Sequence, residues 1–246
     1  MMAGMRAFFR SVTTGSDGAR WVELPGVLAS VVPVTPERSV TNSVLYESPE
    51  RMIAASDELA WVYDEAGVRA WTVWVDASDR DVADALAAAG HVLDASPLAM
   101  AMELDGLDDS PPPVELDLVH HLGPAVLGRI NDRAYGLSGD AFEAALSGWG
   151  DDPDRRLYFA RRGGEPVSCM MTHDHAGDCA IELVATLPEA RGRGLAGALL
   201  HRSLVDAREH GCETTSLQAT SAGAPVYERL GYRTLGTLQM WERRDE

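Results

Sequence analysis

A glycine-rich turn in the last third of the chain has the composition of a phosphate-binding site. Residues 188–200 read Pro-Glu-Ala-Arg-Gly-Arg-Gly-Leu-Ala-Gly-Ala-Leu-Leu. An apolar strand is predicted before this turn and an amphipathic helix after it. Without side chains in the way, successive backbone N–H groups can converge on one anion. The first turn of the helix adds unpaired N–H groups and the positive end of its dipole. Arg191 and Arg193 add formal positive charge.

Two other glycine loops have related sequences. The Gly-Lys-Ser/Thr of a nucleotide triphosphate loop is missing. The spacing Gly192-x-Gly194-x-x-Gly197 satisfies the dinucleotide fingerprint. That fingerprint usually opens the first unit of a parallel sheet, whereas several apparently antiparallel strands precede this one. The acidic residue that follows, Glu213, lies at a strand start rather than at a strand end. A dinucleotide-dependent oxidoreductase is therefore the weaker alternative.

A second motif lies at residues 222–232, which read Ala-Gly-Ala-Pro-Val-Tyr-Glu-Arg-Leu-Gly-Tyr. It predicts a short helix that carries a tyrosine, followed by a glycine and an aromatic residue that open a strand. Together with Arg191-x-x-Gly194-x-Ala196 and the preceding Pro188, this motif resembles the two signatures of the GNAT superfamily, the GCN5-related N-acetyltransferases. The resemblance covers about residues 113–246. It implies an α/β GNAT fold, with a mixed, mostly antiparallel sheet flanked by helices.

The resemblance implies acetyl-CoA as the cosubstrate and assigns its binding groups. The backbone of the strand before the loop would bind the pantetheine arm through Val184, Ala185 and Thr186. The loop would hold the pyrophosphate. Its residues are Arg191, Gly192, Arg193, Gly194, Leu195, Ala196 and Gly197.

The reaction implied is acetyl transfer from a thioester to the primary amine of a small molecule or peptide, by direct attack in a ternary complex. It needs a neutral amine, a stabilised oxyanion and a proton for the departing thiolate. Tyr227 falls where the family has a tyrosine that supplies this proton, with simple packing as its alternative role. A backbone N–H near Ala185 or Thr186 would stabilise the oxyanion.

The general base is less well defined by the resemblance. Glu182 is the first choice, because a carboxylate on this strand can accept a proton directly or through water. Its alternative roles are to bind the substrate or to be a solvated strand residue. The other position that the family uses carries Gln218, which cannot act as a base. The absence of any dedicated base is therefore a further alternative.

Apolar periodicity predicts the elements that position these residues. The predicted helices are 124–135, 140–146, 194–210 and 221–230. The predicted strands are 114–119, 156–161, 166–172, 179–186 and 214–218, with a terminal pair at 232–238 and 238–243. The glycine loop therefore connects a strand to the longest of these helices.

Asp105–Glu115 contains three consecutive prolines and predicts a linker between a domain at 1–110 and a catalytic domain at 111–246. The first half repeats part of the order of the second, with helices near 49–67 and 78–89 and strands at 69–75, 92–93 and 99–104. Its counterpart of the loop reads Glu47-Ser48-Pro49-Glu50, without glycine. It resembles a degenerate GNAT repeat, and so a tandem arrangement is predicted.

Composition limits the partners. The chain has 38 acidic residues against 21 arginines and a net charge of −17, which disfavours nucleic acid and anionic membranes. We expect a cytoplasmic protein, because neither a membrane-length apolar run nor a signal peptide is evident. Three scattered cysteines predict neither disulfides nor a metal site. A homodimer is compatible with these features. A non-catalytic acyl-CoA sensor or interaction protein is the alternative function.

Overall fold

A computed structural model of the protein describes residues 1–110, 112–137 and 139–244. The helices are α1 (Met2–Gly15), α2 (Pro49–Glu65), α3 (Arg80–Ala88), α4 (Pro124–Ala134), α5 (Ala141–Leu146), α6 (Leu195–Glu209) and α7 (Ala224–Leu230). The strands are β1 (Arg20–Leu24), β2 (Val27–Val31), β3 (Ser43–Tyr46), β4 (Ala70–Asp76), β5 (Val92–Ala95), β6 (Leu98–Glu103), β7 (Asp117–Val119), β8 (Arg155–Arg162), β9 (Glu165–His175), β10 (Asp178–Thr186), β11 (Thr214–Ala219) and β12 (Arg233–Arg244).

The strands form one continuous sheet across both halves of the chain. Its order is β1-β2-β3-β4-β12-β6-β11-β10-β9-β8-β7, and β5 pairs with β12 beside this path. Neighbours are antiparallel except β3 with β4 and β10 with β11, which are parallel. The α/β prediction with a mostly antiparallel sheet flanked by helices is confirmed.

The two halves exchange strands at the middle of the sheet. β6, from the first half, lies between β11 and β12 of the second half. In return, residues 238–244 of β12 pair with β4, and residues 240–242 pair with β5. The division near residue 110 stays a prediction, and Pro111 itself lies outside the described residues. The hydrogen-bonded ladders nevertheless cross that division in both directions.

Two apolar cores lie on the sheet. The smaller one packs α2 and α3 on the strands of the first half. The larger one belongs mainly to the second half, but it includes Met5, Phe8, Phe9 and Val12 of α1. A Cβ atom at Gly4 would lie 2.4 Å from the Ala180 Cβ on β10, so glycine permits this close approach of helix and strand. The N-terminal helix is therefore packed beside the strand that carries the predicted site.

Most predicted elements are present, with two differences. The terminal pair of strands at 232–238 and 238–243 is wrong, because β12 is one strand from Arg233 to Arg244. Its first part pairs with β6 and its last part pairs with β4 and β5. Helix α1 and strands β1 to β3 were not predicted. Their residues complete the first half of the sheet and cover the larger core.

Candidate active site

Strand β10 changes course at the predicted site. Its parallel ladder with β11 ends at Ile181 and Leu217. On the other edge, its pairing with β9 shifts register between Glu182 and Ala185. Leu183 has a φ of 53°, a left-handed conformation that is uncommon for a residue with a side chain. This bulge turns the end of β10 away from β11 and opens a channel between the two strands.

Two side chains hold the bulge in place, one on α4 and one directly after its C-terminal end. The buried amide of Asn131 donates hydrogen bonds to the Leu183 carbonyl at 3.2 Å and to the Leu127 carbonyl at 2.9 Å. The hydroxyl of Tyr135 donates to the Val184 carbonyl at 3.3 Å. The sequence analysis identified neither residue. Both act through the backbone of β10, which no spacing in the sequence reveals.

The glycine loop presents unpaired backbone donors. Gly192 and Gly194 have φ values of 72° and 75°, which glycine adopts without strain. Helix α6 follows at once, and its first turn carries no acidic side chain. The first intrahelical bond runs from the Ala198 N–H to the Gly194 carbonyl at 2.9 Å. The N–H groups of residues 195–197 are therefore free donors at the positive end of the helix.

The arginines of this region differ in their contacts. The Arg191 guanidinium donates to the Thr186 carbonyl at 3.1 Å and to the Ala134 carbonyl at 2.6 Å, so it fastens the loop to β10 and α4. Arg193 is exposed and has no ion pair within the described part of the chain. Arg229 of α7 and Arg193 line one cavity over the glycine loop. These side chains leave positive charge beside the free N–H groups.

A cavity of about 760 Å³, called here the loop cavity, covers the glycine loop. One wall is formed by residues of the predicted linker, namely Leu107, Asp108, Ser110, Pro112, Pro113 and Val114. The His201 Nε2 lies 2.7 Å from the Asp108 carbonyl oxygen and ties this segment to α6. The linker therefore contributes to the site in addition to connecting the halves.

Tyr227 lies on α7 with its side chain at a second, narrower cavity of about 190 Å³, called here the channel. The residue is 8% exposed, and its ring packs edge-on against Tyr232 at 5.8 Å between centroids. Burial, with Tyr135 and Glu182 nearby, raises the pKa of Tyr227 well above its ordinary value. The hydroxyl therefore keeps its proton at neutral pH.

Glu182 lines the same channel directly before the bulge. The residue is half-buried, but its Oε1 is fully buried and accepts no hydrogen bond from any described residue. Burial raises the pKa of Glu182 to about 8, partly offset by the N-terminal ammonium group. A carboxyl group with a pKa near neutrality can accept and release a proton during a reaction.

Three cavities form one path through the molecule. The loop cavity and the channel share Thr186, Ala196 and Val226. The channel continues into a third cavity of about 770 Å³, called here the cleft, and both are lined by Tyr135, Glu182, Leu183, Gln218 and Thr220. The first half of the chain supplies much of the cleft wall from α1, the β2–β3 connection and β4. Glu182 and Tyr227 thus lie between the loop cavity and the cleft.

All of the predicted site residues line the loop cavity or the channel. Val184, Ala185 and Thr186 line the channel. The remaining predicted residues line the loop cavity: Arg191, Gly192, Arg193, Gly194, Leu195, Ala196 and Gly197. Their individual roles stay predictions. Arg229 also lines the loop cavity, although it was not predicted as a site residue.

Within residues 1–110, 112–137 and 139–244, no group of three His, Cys, Asp or Glu side chains is arranged to hold a metal ion. In the same part of the chain, no helix has the length and apolar character required to cross a bilayer.

Comparison with known proteins identifies the domain. The family model described as "Acetyltransferase (GNAT) family" matches residues 127–232. The sequence matches none of the curated proteins with which it was compared.

Several solved structures resemble the whole chain. A GCN5-related N-acetyltransferase from Kribbella flavida is 16% identical, with a TM-score of 0.71 over 98% of this chain and 95% of its own. A tandem GNAT protein from the clavulanic acid biosynthesis pathway is 14% identical, with a TM-score of 0.57. The match covers 99% of this chain and 95% of that protein. A GCN5-related N-acetyltransferase from Sphaerobacter thermophilus is 21% identical, with a TM-score of 0.58. The match covers 89% of this chain and 76% of that protein. At these identities the likeness concerns the fold, including its tandem arrangement.

The family match covers the bulged strand, the glycine loop and the helix with Tyr227, which are the elements that build the path described above. Residues 127–232 are therefore an acetyltransferase domain of the GNAT family.

Proposed function

We propose that the enzyme transfers an acetyl group from acetyl-CoA to the primary amine of a small molecule or peptide. The carrying observation is the continuous path from the loop cavity through the channel to the cleft. Free N–H groups at the start of α6 fit the pyrophosphate, and the narrow channel along β10 fits the pantetheine arm. Glu182 and Tyr227 would then lie beside the thioester, with the cleft open to the acceptor.

Direct attack in a ternary complex is the mechanism that the buried cysteines favour. Cys169 and Cys179 are both 0% exposed, and burial raises the pKa of each thiol. No cysteine lines any of the three cavities among the described residues. An acetyl-cysteine intermediate would need an accessible thiolate, so the amine itself is the nucleophile.

Glu182 and Tyr227 divide the proton transfers between them. The amine nitrogen attacks the thioester carbonyl, and a backbone N–H near Ala185 or Thr186 stabilises the oxyanion. Glu182 takes the proton that the amine loses. The C–S bond then breaks, and the Tyr227 hydroxyl gives its proton to the departing thiolate. The tyrosinate regains a proton from solvent after CoA leaves.

The first half supports this chemistry as a degenerate GNAT repeat without a phosphate loop. Its part is to complete the sheet and to form the acceptor side of the cleft, while residues 111–246 carry the catalytic groups. The strongly acidic composition favours a small-molecule or peptide acceptor over nucleic acid. We also propose that the enzyme works in the cytoplasm.

The test is turnover of acetyl-CoA with a broad panel of primary amines. We expect release of one CoA thiol for each N-acetyl product, with both measured on the same sample. Acetyl-CoA binding without acetylation of any amine would instead support the acyl-CoA sensor. Binding of NAD(P)H in preference to CoA would support the oxidoreductase.

A further inference from the structure

The charges that line the cleft are mostly negative. Four carboxylates contribute to its wall, and two arginines oppose them. The carboxylates are Glu37, Asp94, Glu182 and Glu242; the arginines are Arg38 and Arg244. A cleft of this composition favours a cationic occupant, provided that the arginines do not neutralise every carboxylate.

The pairing among these groups is uneven. Arg244 lies 2.6 Å from a Glu242 carboxylate oxygen and 3.9 Å from a Glu37 oxygen, so its charge is already shared. Asp94 makes no hydrogen bond or ion pair with any described residue. Burial and the neighbouring Glu242 raise the pKa of Asp94, and the nearby Arg244 partly offsets this rise. Among the carboxylates that line the cleft, Asp94 is therefore the one that a bound cation would stabilise most.

Glu182 and Asp94 both line the cleft, on strands that the sheet keeps apart. On β10, Ile181 pairs with Leu217 of β11, and Glu182 is the next residue after Ile181. On β11, Gln218 follows Leu217 and pairs with Ala99 of β6. Asp94 is five residues before Ala99 along the continuous edge that β5 and β6 present to β12. With strands about 4.8 Å apart and residues about 3.3 Å apart, the two Cα atoms are separated by roughly 15–20 Å. Side chains that point into one cavity shorten this separation.

Part of the cleft wall is apolar. Phe8 and Phe9 of α1 line it, together with Trp74 of β4 and Met240 of β12. Such a surface has no groups to solvate a charge, so it suits a hydrocarbon segment. The Asp94 carboxylate, the Glu182 carboxyl group and the apolar surface of the same cleft define the shape of the occupant.

We propose that the acceptor is an elongated dication: a primary amine beside Glu182, an extended apolar spacer, and a second cationic group beside Asp94. This inference rests on the proposed function, because it takes the cleft as the acceptor site. An amine with a carboxylate at its far end, placed near Arg38 and Arg244, is the competing occupant.

Three ligands of equal length separate these possibilities: octanediamine, octylamine and aminooctanoate. They share one ammonium group and differ only at the other end. Affinities are measured by calorimetry on the full-length CoA complex, and kcat/KM is measured with acetyl-CoA. We expect octanediamine to bind about five- to tenfold more tightly than octylamine, and aminooctanoate to bind least, as for a partly exposed ion pair at moderate salt.

The variant Asp94→Lys should reverse this order, with aminooctanoate bound best. Asp84→Lys makes the same charge change on α3, away from the cleft, and should keep the wild-type order. Asp94→Asn should bring octanediamine and octylamine to equal affinity, and it serves as the second variant if the lysine protein folds poorly.

Equal wild-type affinities for octanediamine and octylamine, or tightest binding of aminooctanoate, would overturn the inference. So would an unchanged preference in both Asp94 variants. If all three amines are acetylated alike, only the dication inference fails. If the diamine preference holds but none of them is acetylated, the binding inference stands and the proposed function fails.

Discussion

Between β10 and α6 the chain runs through residues 187–194, whereas between β3 and α2 it runs only through Glu47 and Ser48. The two connections occupy corresponding places in the halves, each after a strand that pairs in parallel with the next. Only the longer one contains glycines with positive φ, and only β10 carries a bulge before it. The strand framework is shared, and the ligand chemistry depends on the connection.

The helix starts differ in electrostatics as well. At α2, Glu50 lies in the first turn, and hydrogen bonds from Ser48 and from the Glu50 backbone lower the pKa of its carboxyl group. An acidic side chain thus satisfies the positive end of α2 from within the chain. The first turn of α6 has no acidic residue. Its donors are left for a ligand, which supports a single acetyl-CoA site per chain.

The largest effect should follow from breaking the exchange between the halves. If the two halves were independent domains that meet near residue 110, residues 111–246 alone would fold and bind CoA. That fragment lacks β6, however, and leaves the facing edges of β11 and β12 without a partner. We expect it to lose cooperative unfolding and acetyl-CoA binding, as measured by circular dichroism and calorimetry. Coexpression with residues 1–110 should restore both, and a fragment with full affinity alone would contradict this role of β6.

The next effect concerns the reacting end of the path. Tyr227→Phe removes only a hydroxyl, and turnover should fall by about 10²–10⁴-fold if that group protonates the thiolate. Acetyl-CoA affinity should change little, because the loop and the channel are intact. Tyr232→Phe is the matched control, since the Tyr232 hydroxyl bonds the Thr215 hydroxyl at 2.8 Å in the core. It should cost about 1 kcal/mol of stability and leave turnover unchanged. Wild-type turnover in Tyr227→Phe would reduce Tyr227 to packing.

A third change tests the loop itself. In Gly192→Val, the side chain would meet no protein atom within 4 Å, so it would stand in the space expected for pyrophosphate. We expect acetyl-CoA affinity to fall by at least about 100-fold, or about 2.7 kcal/mol. Gly67→Val imposes the same positive φ on a valine in open space in the first half. It controls for backbone strain and should keep the affinity, measured by calorimetry with one site per chain.

The sequence predicts the local parts of this site and misses the long-range ones. The glycine loop, α6 and the strand before it follow from periodicity and from residues adjacent in the chain. The strand exchange depends on which edges meet in space. The sequence of β12 alone gives no sign that its first part pairs with β6 and its last part with β4 and β5. Asn131 and Tyr135 matter because α4 approaches the bulge, which is also a tertiary fact.

Helix α1 could have been predicted. Its buried residues Met5, Phe8, Phe9 and Val12 have the spacing of one helix face. Part of the cleft wall was missed with it, because Phe8 and Phe9 line that cavity.

The smallest expected effect is a pH dependence that distinguishes Glu182 from the acidic residues of the surface. With a pKa of about 8, Glu182 is mostly protonated at pH 7, and the base form increases as the pH rises. We expect kcat/KM to rise about tenfold per pH unit below that pKa and to level off above it. Glu182→Gln should be slower and should lose this limb of the profile.

Stability gives an independent measurement of the same group. The folded-state pKa of Glu182 lies above the ordinary value of 4.5, so the folded protein holds this proton more tightly than the unfolded chain. Stability is therefore fully present below about pH 4.5 and decreases as the pH rises toward 8. Glu182→Gln cannot lose that proton, so its advantage in melting temperature over the wild type should widen across this range and then stay constant. Glu189→Gln, at an exposed residue paired with Arg133 at 3.1 Å, should show no such widening. A constant difference between Glu182→Gln and the wild type from pH 5 to 9 would mean that Glu182 ionises like a solvated carboxylate. The base role would then have to pass to solvent, while the loop and Tyr227 would keep theirs.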